Sequence, residues 1–188
     1  MTFPNRLTLA RLLLTALFVM AMELSFSWNQ TIALVIFLLA ILTDYLDGLL
    51  ARRWHLITNF GKLMDPIADK ILSTSAFILL VAYAAIPAWA VIIVIGREFL
   101  ITGLRLLAGG KGIILPAEKL GKHKTAWQMA TILFFLVLLA LPEWIQKPSW
   151  WHGLWIYGGN ALIAITVILT LYSGFGYLHK NRSLLLSD

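Results

Sequence analysis

Six long apolar runs constrain this chain more than any other feature, and they fall roughly at Leu7 to Leu24, Trp28 to Trp54, Gly61 to Ala85, Ala88 to Ala108, Thr125 to Leu141 and Trp151 to Leu178. None alternates polar and apolar residues as a strand would. In lipid only helices or closed barrels satisfy their own backbone, so each run is predicted to be a helix. The chain is 60% hydrophobic and only 13% charged, which is too apolar for a soluble fold of 188 residues. The expected fold is therefore all-α, a polytopic membrane protein of six transmembrane helices. No charge-rich or Pro/Ser-rich linker divides it, so residues 1–188 form one domain. Short loops are expected, with Pro87, Pro142 and Pro148 where spans should stop.

The charges orient that bundle. Of the 15 Lys and Arg residues, Lys147 alone falls on the loops opposite the termini; the others lie on or toward the face that the termini share. The positive-inside rule then places both termini in the cytosol. Trp144, Trp150, Trp151 and Trp155 form an outer aromatic belt. Arg6 and Arg11 before the run Leu12 to Met22 look like a secretory leader, but no small-x-small site follows Met22, and the run is read as the first span. The net charge of +6 flanks apolar segments instead of forming a soluble basic face, so anionic lipids and phosphorylated substrates are expected partners and nucleic acid is not. The absence of cysteine excludes disulfides, thiolate metal sites and cysteine nucleophiles.

Between two of the apolar runs, residues 44–69 read DYLDGLLARRWHLITNFGKLMDPIAD and hold four of the nine acidic residues. On helices, Asp44 and Asp47 are i, i+3 and Asp65 and Asp69 are i, i+4, so each pair shares a face. A lone aspartate would be an ordinary solvated helix end. Four near the bilayer could cost up to roughly 10 kcal/mol if simply additive. Pairing with Arg52, Arg53, Lys62 and Lys70 offsets part of that cost but leaves like charges clustered. Divalent cations remove the repulsion, and hard carboxylate oxygens without Cys or clustered His select Mg²⁺ or Mn²⁺. Two carboxylate-held ions suit displacement at phosphorus, provided one carboxylate stays free to take a proton from the attacking hydroxyl. Gly48 and Gly61 admit a bulky ligand to helix backbone, or else serve helix packing.

The run Asp44-Tyr-Leu-Asp47-Gly48-Leu-Leu-Ala51-Arg52, eight residues, then Gly61-Lys-Leu-Met-Asp65-Pro-Ile-Ala-Asp69, resembles the signature of the CDP-alcohol phosphotransferase family at every fixed position. The resemblance implies a cytosol-facing active-site cavity in which Asp44, Asp47, Asp65 and Asp69 bind two metal ions and Asp69 is also the catalytic base. It implies that Gly48, Arg52 and Thr58 line the CDP-lipid site. Pro4-Asn5-Arg-Leu-Thr8-Leu-Ala-Arg11 resembles the family's opening helix, where Asn5 and Thr8 would approach the nucleotide. It also implies a homodimer, and Gly158, Gly159, Gly174 and Gly176 on the last span permit close packing without naming the partner.

A second polar region bears on the acceptor. Arg97 and Arg105 are eight apart, close to two turns, with Glu98 and Thr102 beside them, and Lys122 and Lys124 follow in GKHKT. An intramembrane arginine is a functional residue by default, although an Arg97 to Glu98 or Arg to Asp tie between helices is the plain alternative. Arginine's planar fork suits a phosphate dianion, and the two lysines add point charge near a helix N-terminus. GKHKT lacks the spacing of a Walker loop, and His55, His123, His152 and His179 form no ligand pattern. The REF, TGLR and GK-x-KT segments resemble the phosphatidylglycerophosphate synthase branch of the family. That resemblance implies an enzyme of the bacterial-type inner membrane that transfers the phosphatidyl group of CDP-diacylglycerol to sn-glycerol 3-phosphate. A phosphatidylinositol-phosphate synthase would also need a phosphate clamp and stays open. A divalent-cation transporter is disfavoured, since no matching acidic set or inverted repeat lies across the membrane.

Overall fold

Each apolar run becomes a helix in the computed structural model, which describes residues 3–54, 59–110, 113, 119–145 and 149–182, without the side chains of 3–6, 47–54, 59–63, 65–66 and 119–120. The helices are α1 (Phe3–Glu23), α2 (Asn29–Trp54), α3 (Asn59–Ala82), α4 (Ala88–Gly110), α5 (Lys119–Trp144), α6 (Trp151–Gly153) and α7 (Gly159–Lys180). A π-helical turn, Leu154–Gly158, joins α6 to α7, so the last expected span is one helix with a bulge. No strand occurs among the described residues. Three segments, Asn29–Leu46, Gly121–Trp144 and Trp151–Lys180, are long and apolar enough to cross a membrane by length and composition. The outer surface agrees with lipid contact: Ile92 is 69%, Leu106 72% and Phe175 78% exposed, too much large apolar surface for water.

Two groups of three helices make the bundle. α1 packs on α2 and α3, α7 packs on α4 and α5, and α2·α5, α3·α5 and α3·α4 contacts join the groups. The packing follows inner stripes that repeat every three or four residues, as a helix face does. In α1 the stripe is Thr8, Arg11, Thr15, Phe18 and Met22; in α5 it is Lys124, Gln128, Thr131, Phe135 and Leu138, all buried. Each stripe is polar at one end and apolar at the other. Phe18 meets Phe37 of α2 at 5.3 Å between ring centroids, inside a core that includes Ala33, Leu72 and Phe135. Thr131 and Thr166 share a 2.8 Å hydrogen bond that joins α5 to α7 in the interior.

Several boundaries differ from expectation, α1 starting at Phe3 instead of Leu7 and α3 ending at Ala82 instead of Ala85, and the two ends of α5 have a physical reason. α5 begins at Lys119 instead of Thr125, because its polar first turns read as loop in the sequence yet continue the inner stripe. α5 also runs through Pro142 to Trp144. Proline withdraws the N–H that would bond the Leu138 carbonyl. That carbonyl instead accepts from Trp151 Nε1 at 3.4 Å, so the helix loses little by continuing. At the same end of the bundle, Glu143 accepts from the backbone N–H groups of Gln30 and Thr31 at 3.0 and 2.9 Å and thereby caps α2. Trp144 Nε1 donates to Thr31 Oγ1 at 2.6 Å, and Trp151 stacks on Trp155 at 5.1 Å, which gathers the expected aromatic belt there.

Candidate active site

The polar ends of the stripes converge at the opposite end of the bundle. Arg11 is fully buried in α1, one helical turn beyond Thr8, and its Nη1 lies 2.7 Å from Asp44 of α2, whose side chain is half exposed. Asp69 of α3 is partly buried and lies within electrostatic reach of Asp44, Arg11, Lys124 and Lys70. Four helices thus contribute charge around one carboxylate. Lys70 also donates to Thr102 Oγ1 of α4 and feels Arg97 and Arg105.

Next to this group opens a cavity of about 440 Å³, lined by Arg97, Glu98 and Arg105 of α4, Lys122 and Lys124 of α5 and Tyr177 of α7, among others. All four residues expected to hold an acceptor phosphate therefore meet in one place. They do not play equal parts. Lys124 is buried and bonds Glu98, whereas Lys122, two residues earlier on the helix, is exposed. Glu98 also lies 3.2 Å from Arg97 Nη1, so the alternative read from sequence, an Arg97 to Glu98 pair, forms as well. Four basic side chains against one carboxylate give the lining an excess of basic groups, which suits an anion.

Two further residues shape this lining: Tyr177, which sequence reasoning missed, and Gly174, which it read only as permitting close packing. Tyr177 is 2% exposed; its hydroxyl accepts from Arg105 Nε at 3.1 Å, and the guanidinium carbon lies 5.4 Å from its ring centroid. A second device is Gly174, where an added Cβ would sit 3.0 Å from Arg97 Cγ. The glycine makes room for the arginine stem to cross α7. Gly159 does the same for Phe135, whose ring would meet a Cβ at 2.8 Å, while Gly176 faces open space. The signal for Tyr177 was present in principle, since Ile163, Thr166, Thr170, Ser173 and Tyr177 form the inner stripe of α7.

Of the expected metal ligands, Asp44 and Asp69 are described; the side chains of Asp47 and Asp65 lie outside the described residues, as do those of Asn5, Gly48 and Arg52 and all of Thr58 and His55. Among the described residues no three carboxylates or imidazoles form a group that could hold a metal. The two visible carboxylates nevertheless fit a hard cation. They come from different helices, repel one another, and Asp44 keeps half its surface open. His123, His152 and His179 are exposed.

Residues 1–172 match the model of the CDP-alcohol phosphatidyltransferase family. The chain belongs to this family. As a CDP-alcohol phosphatidyltransferase it has relatives of nearly its own length. It is 38% identical to the CDP-diacylglycerol--glycerol-3-phosphate 3-phosphatidyltransferase of Bacillus subtilis, over 95% of this chain and 94% of that protein. It is 35% identical to the enzymes of the same name from Escherichia coli K12 and Salmonella paratyphi A, in each case over 98% of this chain and 97% of the relative. The family match spans residues 1–172, whereas the signature read from the sequence occupies residues 44–69 and the residues lining the cationic cavity lie outside it.

Proposed function

We propose that this protein transfers the phosphatidyl group of CDP-diacylglycerol to sn-glycerol 3-phosphate, the substrates that the relatives' names give for them, and that CMP is the leaving group. The observation that carries this reading is the cavity of Arg97, Arg105, Lys122 and Lys124, which adjoins Asp69 through the shared wall residues Glu98, Thr125 and Met129. An acceptor bearing its own phosphate needs such a lining, and serine or choline does not. Arg97 and Arg105 hold the acceptor phosphate, with Tyr177 fixing Arg105 from behind. Lys122 adds charge at the exposed side, and Lys124 acts through Glu98.

With the phosphate held there, the acceptor's primary hydroxyl reaches Asp69, which takes its proton. The hydroxyl oxygen forms a bond to the phosphorus that carries the diacylglycerol, the bond from that phosphorus to the CMP oxygen breaks, and CMP leaves with the electron pair. Asp44, Asp47, Asp65 and Asp69 would hold two Mg²⁺ or Mn²⁺ ions, which when bound neutralise the pyrophosphate and the leaving CMP. Asn5, Thr8, Gly48, Arg52 and Thr58 are assigned to the CDP-lipid; Thr8 is the one whose side chain is described, and it lies buried one turn from Arg11.

The wider reading is a single catalytic unit of six membrane spans in a bacterial-type inner membrane, with termini and cavity cytosolic, working as a homodimer. The clustering of Arg11, Lys70, Arg97, Arg105, Lys122 and Lys124 at one end and of the tryptophans at the other supports that orientation. The test is CMP release by purified protein given CDP-diacylglycerol, Mg²⁺ or Mn²⁺ and a panel of acceptors. Turnover with glycerol 3-phosphate and almost none with serine, inositol or inositol phosphate is expected. Preferential use of inositol phosphate would reassign the acceptor, and cation flux into liposomes without CDP-diacylglycerol consumption would overturn the enzyme reading.

A further inference from the structure

A second, small cavity of about 30 Å³ lies beside the first, and Asp69, Lys70, Glu98 and Gln128 are among its walls. Thr125 and Met129, three residues before and one after Gln128, line both cavities, so the stretch of α5 around Gln128 forms their common boundary. Gln128 stands one helical turn after Lys124 on the inner stripe and is 5% exposed. Its side-chain Nε2 has no hydrogen-bond partner within the described protein. An amide donor buried in this way costs about 1–3 kcal/mol when nothing accepts from it. A leucine of similar size would fill the position without that cost, so the amide calls for a partner that is not part of the bundle.

The acceptor assigned above has three polar points in a row: phosphate, secondary hydroxyl and the attacking primary hydroxyl. With the phosphate among Arg97 and Arg105 in the large cavity and the primary hydroxyl at Asp69 in the small one, the secondary hydroxyl falls at the boundary where Gln128 stands. We propose that Gln128 donates a hydrogen bond to the secondary hydroxyl of the acceptor and so selects a glycerol backbone over an unbranched hydroxyalkyl phosphate. The proposal rests on the phosphatidyl-transfer reading and adds a specificity-determining residue to it. The amide neither moves a proton nor touches the reacting phosphorus; it sets which three-carbon chain lies correctly between clamp and base. A site that hydrogen-bonds a substrate hydroxyl rejects the analogue lacking it far more strongly than an apolar pocket does.

The experiment compares kcat/KM for sn-glycerol 3-phosphate and for 3-hydroxypropyl phosphate, which keeps the phosphate and the primary hydroxyl but has no secondary one. The full-length protein is used with CDP-diacylglycerol and Mg²⁺, alongside Gln128→Met, which keeps the shape and removes the donor. The native protein is expected to prefer glycerol 3-phosphate by about tenfold or more. Gln128→Met is expected to lose most of that preference through slower use of glycerol 3-phosphate, with 3-hydroxypropyl phosphate unchanged. A cavity this small also fits a single water. An amide satisfied by water, or one that only packs, would make the variant lose activity equally with both acceptors, and that result overturns the proposal. Equal use of the two acceptors by the native protein overturns it without any variant. No CMP release by the native protein with either acceptor would instead remove the phosphatidyl-transfer reading beneath it.

Discussion

The two ends of the bundle use charge in opposite ways. At the tryptophan end, Glu143 is committed to structure: both of its oxygens accept from the first turns of α2, and one of them also accepts from Thr31 Oγ1 at 2.5 Å. At the other end Asp44 stays half exposed beside a fully buried Arg11, and four basic side chains line a cavity of about 440 Å³ with one carboxylate among them. Charge whose bonding capacity is used within the fold holds helices together. Charge that faces open volume, with more of one sign than the lining can neutralise, is arranged for something that arrives.

That contrast gives substitutions different signatures at the two ends. Asp69→Asn is expected to have the largest effect, a loss of about 10²–10⁴-fold or more in turnover if Asp69 is the base, with CDP-lipid binding largely spared. Full activity in this variant would remove it from the mechanism. Gly174→Val comes next: the side chain would collide with the Arg97 stem, costing about 1–3 kcal/mol in packing, and would raise the acceptor Michaelis constant while leaving that of the donor in place. Unchanged acceptor kinetics would show that Arg97 does not need its path across α7. Glu143→Gln is expected to move activity least. It removes charge from the cap on α2 and costs about 1–2 kcal/mol of stability, seen as a lower thermal midpoint in detergent with both Michaelis constants unchanged. A shifted Michaelis constant would blur the division between the ends.

The long helices were legible because membrane burial demands apolar runs, and each of the six expected runs became one. Their ends were less so. The polar start of α5 at Lys119 carries Gly121, Lys122 and Lys124, residue types that read as loop until the stripe through Lys124 and Gln128 is seen to face the interior. Pro142 reads as a stop because the compensating Trp151 donor lies nine positions further on. The π-helical turn has no sequence mark at all. The candidate site divides similarly: the four aspartates stand in one short stretch and announce themselves by their cost, whereas the cationic cavity draws on three helices. Glu98 was visible only as a neighbour of Arg97. That it also holds Lys124, and that Tyr177 supports Arg105, depends on contacts 26 and 72 residues apart in the chain.

The central claim is that this cavity binds the acceptor through its phosphate, separately from the CDP-lipid, and Arg105→Ala tests it most directly when both Michaelis constants are measured side by side. Losing a charge-assisted contact of this kind is worth about 1.5–3 kcal/mol, so the acceptor value should rise by about tenfold to a hundredfold while the CDP-diacylglycerol value stays close to that of the native protein. An equal rise in both, or a rise in the donor value alone, would contradict the claim and place Arg105 with the lipid substrate instead.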